Sequence, residues 1–137
     1  MKKLLFFLCL LLFGCSDNTD PVIEDIKLVP PELIGKWKIT EKYGSESGLN
    51  PTWGTYNSGN EYHVWFKNNF RYEKIDGDPV CLTGTFSISG NKLKYTTDNC
   101  GEKEVLIELL NENNLIIDFQ IFEPVKAKYI KISSEGK

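Results

Sequence analysis

From Leu33 onward, apolar and polar residues alternate in short runs broken by Gly, Asn and Asp, the pattern of antiparallel β structure. No segment carries the apolar stripe of a helix lying on a core. Gly35, Trp37 and Ile39 share one side of the first strand, and Lys36, Lys38 and Thr40 take the other. Residues 42–60 hold Gly44, Gly48, Gly54, Gly59 and Pro51 and read as a long irregular loop, a length that in a compact domain is often functional. Tyr62, Val64 and Phe66 then share a face; Asn68 and Asn69 turn the chain, and a three-residue loop returns Phe70 and Tyr72 to that face. A two-residue turn at Gly90 and Asn91 sets the next register, with Ile88 opposite Leu93, Phe86 opposite Tyr95 and, further out, Cys81 opposite Cys100. Strands at 105–109, 115–119 and 125–132 follow, with 111–114 as a turn. Eight strands with short antiparallel connections predict an all-β fold, an eight-stranded up-and-down barrel spanning residues 32–134 within a domain of residues 32–137. A two-sheet sandwich is the competing arrangement.

The N-terminus has a different pattern. Lys2 and Lys3 precede an apolar run from Leu4 to Phe13, the basic and hydrophobic regions of an export signal. At about 1.5 Å per residue, that run spans only about half of a ~30 Å hydrocarbon core, so cleavage is expected rather than a permanent membrane helix. Leu12, Phe13, Gly14 and Cys15 resemble the lipobox of bacterial lipoproteins, with Phe13 where a small residue is usual. The resemblance implies a signal peptide at residues 1–14 and a mature chain beginning at an acylated Cys15. Several chains at ~0.8 kcal/mol per buried CH₂ would anchor it durably in a lipid bilayer.

Residues 15–31 then read as the acylated cysteine and a flexible linker, with Asp17, Asn18, Asp20, Glu24 and Asp25 set among Pro21, Pro30 and Pro31. From Ser16 the linker would reach roughly 20–24 Å. Its early acidic residues resemble signals that send lipoproteins to the cell surface in some Gram-negative groups. The expected location is the bacterial cell envelope, most simply the outer membrane, on its periplasmic or its surface face. Lys plus Arg number 16 against 19 Asp plus Glu, a net charge of −3, and loss of the signal deepens it to −5. No basic surplus exists to attract nucleic acid.

The segment Leu33-Ile34-Gly35-Lys36-Trp37, at the start of the first strand after a polar leader, resembles the Gly-x-Trp signature of lipocalins. The strand spacing is similar to that of lipocalin-like domains of small bacterial lipoproteins, over about residues 32–134. The resemblance implies a barrel whose Gly35 and Trp37 mark the closed end, with the tryptophan packed against an arginine of the last strand. Arg71 is the one arginine in the chain, so Lys126, Lys128 or Lys131 would have to take that place without the planar stack an arginine provides.

Few residues point to chemistry. Cys81 and Cys100, facing each other in an exported chain, are expected to form a disulfide. With the lone His63 they make an incomplete zinc set, and neither metal nor cofactor is expected. His63, out of phase with Tyr62, Val64 and Phe66, reads as a surface or rim residue, and Asp76-Gly77-Asp78-Pro79 reads as a turn. No motif supplies a nucleophile with its base and orienting carboxylate. The aromatic residues are more suggestive: Tyr62, Phe66, Phe70, Tyr72, Phe86, Tyr95 and Phe119 fall on the side of Trp37, where they either fill a small barrel or bound an apolar cavity. Trp53 and Tyr56, in the long loop, are read as a lid, a plug or a partner patch. Of these, Tyr62, Phe66, Tyr72, Phe86, Tyr95, Trp53 and Tyr56 are the candidate ligand contacts. The expected function is that of a noncatalytic, membrane-anchored lipoprotein binding a small apolar or amphipathic ligand, and the alternative is a protein- or glycan-interaction module with a filled barrel.

Overall fold

The computed structural model describes residues 28–45, 50–121 and 124–137. Cys15, the signal segment and most of the linker lie outside the described residues. Nine antiparallel strands make one sheet: β1 (Gly35–Gly44), β2 (Thr52–Thr55), β3 (Val64–Phe66), β4 (Arg71–Lys74), β5 (Thr83–Ser89), β6 (Lys92–Thr97), β7 (Gly101–Leu110), β8 (Asn114–Asp118) and β9 (Lys126–Ser133). From β3 to β9 each strand pairs with the next, and β1 pairs with both β3 and β9. The β1–β9 ladder, from Lys36 opposite Ser133 to Tyr43 opposite Lys126, closes eight strands into a barrel and excludes the sandwich.

The eight-stranded barrel is as expected, and the additional strand β2 corrects the reading of residues 42–60 as irregular loop. β3 covers the edge of β1 only from Gly35 to Trp37, and β2 covers it from Glu41 to Gly44. Between them, the Tyr56 and His63 amides donate to the carbonyls of Thr40 and Trp37. Residues 42–60 are thus in part a strand edge filler that keeps the β1 backbone hydrogen-bonded. All four β2 residues are exposed, so no apolar alternation announced the strand.

Inside the barrel, the inward phase of every wall strand contributes: Trp37 and Ile39, Val64 and Phe66, Tyr72, Phe86, Leu93 and Tyr95, Val105 and Ile107, Leu115 and Ile117, Ala127 and Tyr129 are all buried. The outward phase carries cross-strand ion pairs such as Lys92–Glu104, Lys94–Glu102 and Lys128–Glu41. Being exposed, each contributes little to stability. Val29 is also buried in this core, so the packed domain takes in the end of the segment read as linker.

The β5–β6 hairpin has the expected register, Phe86 opposite Tyr95 and Ile88 opposite Leu93, with Gly90 at φ 59° in its turn. Pairing stops at Gly84 opposite Thr97, and the Cys81–Cys100 disulfide bridges beyond it with a Cα–Cα distance of 5.6 Å. Cys81 ends a short 3₁₀ turn, Pro79–Cys81, capped by the Asp78 carboxylate. Cross-linking a loop of about 20 residues stabilises by roughly 3 kcal/mol in the chain-entropy picture.

Two local expectations change. Phe70 lies in the β3–β4 turn at φ 61° rather than in β4, yet its ring still packs on Phe86, centroids 5.8 Å apart. Tyr62 leaves the inward face altogether. His63 and Val64 are buried in succession, which throws Tyr62 outside, where its hydroxyl donates to Glu73 at 3.5 Å and Lys36 stands over its ring. His63 is therefore no surface residue: it is 3% exposed and stands in the wall at one end of the barrel.

Candidate functional site at the barrel mouth

The barrel has one end that is sealed and one that is not. At the sealed end Trp37 is fully buried and its indole N–H donates to the Leu33 carbonyl at 2.8 Å. Gly35 approaches β9 so closely, at φ 127°, that a Cβ there would collide with the Ser133 carbonyl oxygen, which gives the Gly-x-Trp pair a steric reason. Of the three candidate lysines, Lys131 replaces the missing arginine. Its Nζ lies 4.8 Å from the Trp37 ring centroid and donates to the Glu32 carbonyl at 2.6 Å, whereas Lys126 and Lys128 pair with Glu108 and Glu41 on the outside.

Above this plug the aromatic residues hold one another. Phe66 packs edge-on to Phe86 at 5.0 Å and Tyr72 edge-on to Tyr95 at 4.9 Å, so this half of the barrel is filled. Phe66, Tyr72 and Phe86 are core residues and line no cavity at the mouth; Tyr95 does.

At the opposite end a cavity of about 190 Å³ remains. Ile39, Val64, Tyr95, Val105, Phe119 and Tyr129 give it apolar walls, and His63, Lys74, Asp76 and Lys103 give it polar ones. It shares Ile39, Asp76, Lys103 and Phe119 with a broader groove of about 440 Å³ edged by Ile121, Val125, Ala127 and Lys42. Trp53 and Tyr56 belong to neither wall. Trp53 packs on the outer face against Tyr43, centroids 5.4 Å apart, and stays 40% exposed. Tyr56 folds back against His63 and lies under Lys42, whose Nζ is 3.5 Å from its ring centroid. A larger hollow of about 560 Å³ at the sealed end is walled mainly by polar groups, including Glu32, Glu112, Asn113 and Lys131, and its lysine is already engaged.

His63 is locked from both sides. Its Nδ1 accepts the Ile39 amide at 3.0 Å, and its Nε2 stands 2.8 Å from Ser58 Oγ. With Nδ1 an acceptor, the neutral ring carries its proton on Nε2 and donates it to Ser58. That is the wrong tautomer for drawing a proton from the serine, and Nδ1, where an orienting carboxylate would bond, is taken by the Ile39 amide, so the pair fastens the segment before β3 to β1. Burial lowers the His63 pKa; Asp76 opposes this, and Lys42 and Lys38 add to it.

Lys74 and Lys103 stand on the inward phase of β4 and β7, two residues from Tyr72 and Val105. Lys74 is half-buried, its Nζ 4.8 Å from the Tyr95 centroid and 5.4 Å from that of Tyr72; Lys103 lies 5.2 Å over Phe119. Burial, with Lys103 nearby, lowers the Lys74 pKa. The Tyr72 hydroxyl beneath is buried with no hydrogen-bond partner among the described residues. Sequence reading passed over these lysines and took Asp76 only as part of a turn, although Tyr72-x-Lys74 and Lys103-x-Val105 each put a lysine in phase with the core, a readable anomaly.

A sealed, tryptophan-plugged end, eight meandering strands and one open mouth define a class of small barrel. The family model described as the lipocalin-like domain matches residues 33–117, and the chain belongs to that family. A crystal structure of a lipocalin-like protein from Bacteroides uniformis ATCC 8492 is similar, at 15% identity and a TM-score of 0.47, covering 74% of this chain and 99% of that one. No curated protein matches the chain.

Proposed function

We propose that the protein is a noncatalytic, membrane-anchored lipoprotein whose barrel mouth binds a small apolar or amphipathic ligand at the bacterial cell envelope. On this reading residues 1–14 are the signal peptide, Cys15 carries the acyl chains in the outer membrane, and the linker holds the barrel off the bilayer. The lipobox-like segment supports the anchor. The observation that carries the binding function is the mouth itself: a cavity and groove with Ile39, Phe119, Ile121, Val125 and Ala127 in their walls, above an interior otherwise filled. Such concave, largely apolar sites with a few convergent polar groups are where small ligands bind. Because the mouth cavity is small and opens into a groove, binding should be shallow and of modest affinity.

Titration of the full chain with the neutral dye N-phenylnaphthylamine is expected to give saturable fluorescence enhancement. Phe119→Ala should weaken it roughly tenfold, the equivalent of ~1.4 kcal/mol, while Trp53→Ala leaves it unchanged. Absence of saturable binding would overturn the proposal. For the anchor, Cys15→Ala is expected to abolish metabolic lipid labelling, and retained labelling would refute it. The exposed Trp53 on the edge strand β2 favours the second reading, an interaction module, should the mouth bind nothing.

A further inference from the structure

The lysines facing the mouth cavity differ from most of those on the outer wall. On the outer wall Lys36, Lys67, Lys92, Lys94 and Lys128 each have a carboxylate within 4.0 Å, as does Lys126, which edges the mouth groove beside Glu108 and Asp118. At the mouth, among the described residues, Lys42, Lys74 and Lys103 have none, although Asp76 lines the same space. Lys74 is the most telling of the three. A half-buried ammonium loses hydration, and the rings of Tyr72 and Tyr95 below it return only part of what a counter-ion would. In an acidic chain, Lys42, Lys74 and Lys103 against Asp76, with Lys126 already matched by Glu108 and Asp118, leave the mouth a local positive well.

Resting on the binding reading above, we infer that the ligand is an amphiphile with an anionic head, held in the cavity between Lys74 and Lys103 while its apolar body lies along the groove past Phe119, Ile121 and Val125. The size of the cavity suits a small head group, and the groove beside it supplies the apolar wall. Lysines act as point charges rather than planar forks, so carboxylate, sulfate and phosphate heads are all accommodated.

The test is displacement of N-phenylnaphthylamine from the full chain at pH 7.5 by decanoate and by decanol, which share a chain and differ in charge, with acetate and inorganic phosphate as anions lacking a chain. Decanoate should bind at least about tenfold more tightly than decanol. That preference should vanish in Lys74→Met/Lys103→Met, a change that keeps side-chain bulk, while decanol binding persists and reports an intact fold. Rising salt should weaken decanoate and spare decanol. Equal affinity of the two in the native chain would overturn the inference and leave the binding function standing; failure of both to bind would overturn the two together. Acetate or phosphate competing as well as decanoate would also overturn it, assigning the lysines to free anions.

Discussion

The two ends of the barrel use the same residue type for opposite purposes. At the sealed end Lys131 covers Trp37 and donates to the Glu32 carbonyl, so ring, cation and backbone complete one another. At the mouth Lys74 also sits over aromatic rings, but among the described residues no carboxylate or carbonyl oxygen bonds its ammonium group. A cation over a ring is thus not itself a sign of a site. What distinguishes structure from function here is whether the cation's remaining hydrogen-bonding capacity is used inside the protein.

The largest expected effect lies at the sealed end. Trp37→Ala deletes a fully buried side chain and its hydrogen bond to Leu33, and should cost about 3–5 kcal/mol in urea denaturation. Phe119→Ala, at the edge of a cavity that already exists, should lose distinctly less. Equal losses would erase the division between a packed end and an open one.

Much of the sealed end was legible because each signal there was local. Gly35 and Trp37 stand two residues apart in one strand, and Gly90-Asn91 between alternating apolar runs fixed the hairpin register as far as the cysteines. The mouth was harder, because its walls come from β1, β3, β4, β6, β7 and β9, the residue before β3 and the segments that follow β4 and β8, which no spacing connects. β2 was hidden because exposed Thr, Trp and Gly have no apolar phase, and Tyr62 was misplaced because alternation fails between His63 and Val64. That failure has a cause: the His63 ring turns inward to meet the Ile39 amide, which would otherwise be a buried donor without a partner.

A finer comparison sets lysine against lysine. Lys131→Met removes a cation over a buried indole and a hydrogen bond, and should cost about 1 kcal/mol. Lys74→Met removes a half-buried charge that lacks a counter-ion, so stability should hold or rise slightly. Chemical denaturation of both variants gives the answer, and a clear loss for Lys74→Met would mean that its charge serves the fold.

The smallest effect concerns pH, and it arises at His63 in the wall of the mouth cavity. His63 is neutral in the fold: its Nδ1 faces the Ile39 N–H, so a proton there would set two donors against each other. The groups around it are Lys38 and Lys42 from β1, Asp76 after β4, Lys74 from β4, Lys103 from β7, and the Ser58 hydroxyl and Tyr56 ring from the β2–β3 connection. Its pKa lies below the ordinary value, chiefly through burial, so the unfolded chain takes up the proton first as pH falls. The stability contributed by the neutral ring is therefore complete above the unfolded histidine range of about 6.5 and declines as the pH drops below it. His63→Gln supplies an acceptor for the Ile39 amide without a titrating group. Between pH 7.5 and 5.5 the urea midpoint of the native chain should fall more than that of the variant, the carboxylates being common to both. Parallel declines would show that the proton taken up on unfolding goes elsewhere, and that His63 is bound as firmly when charged as when neutral.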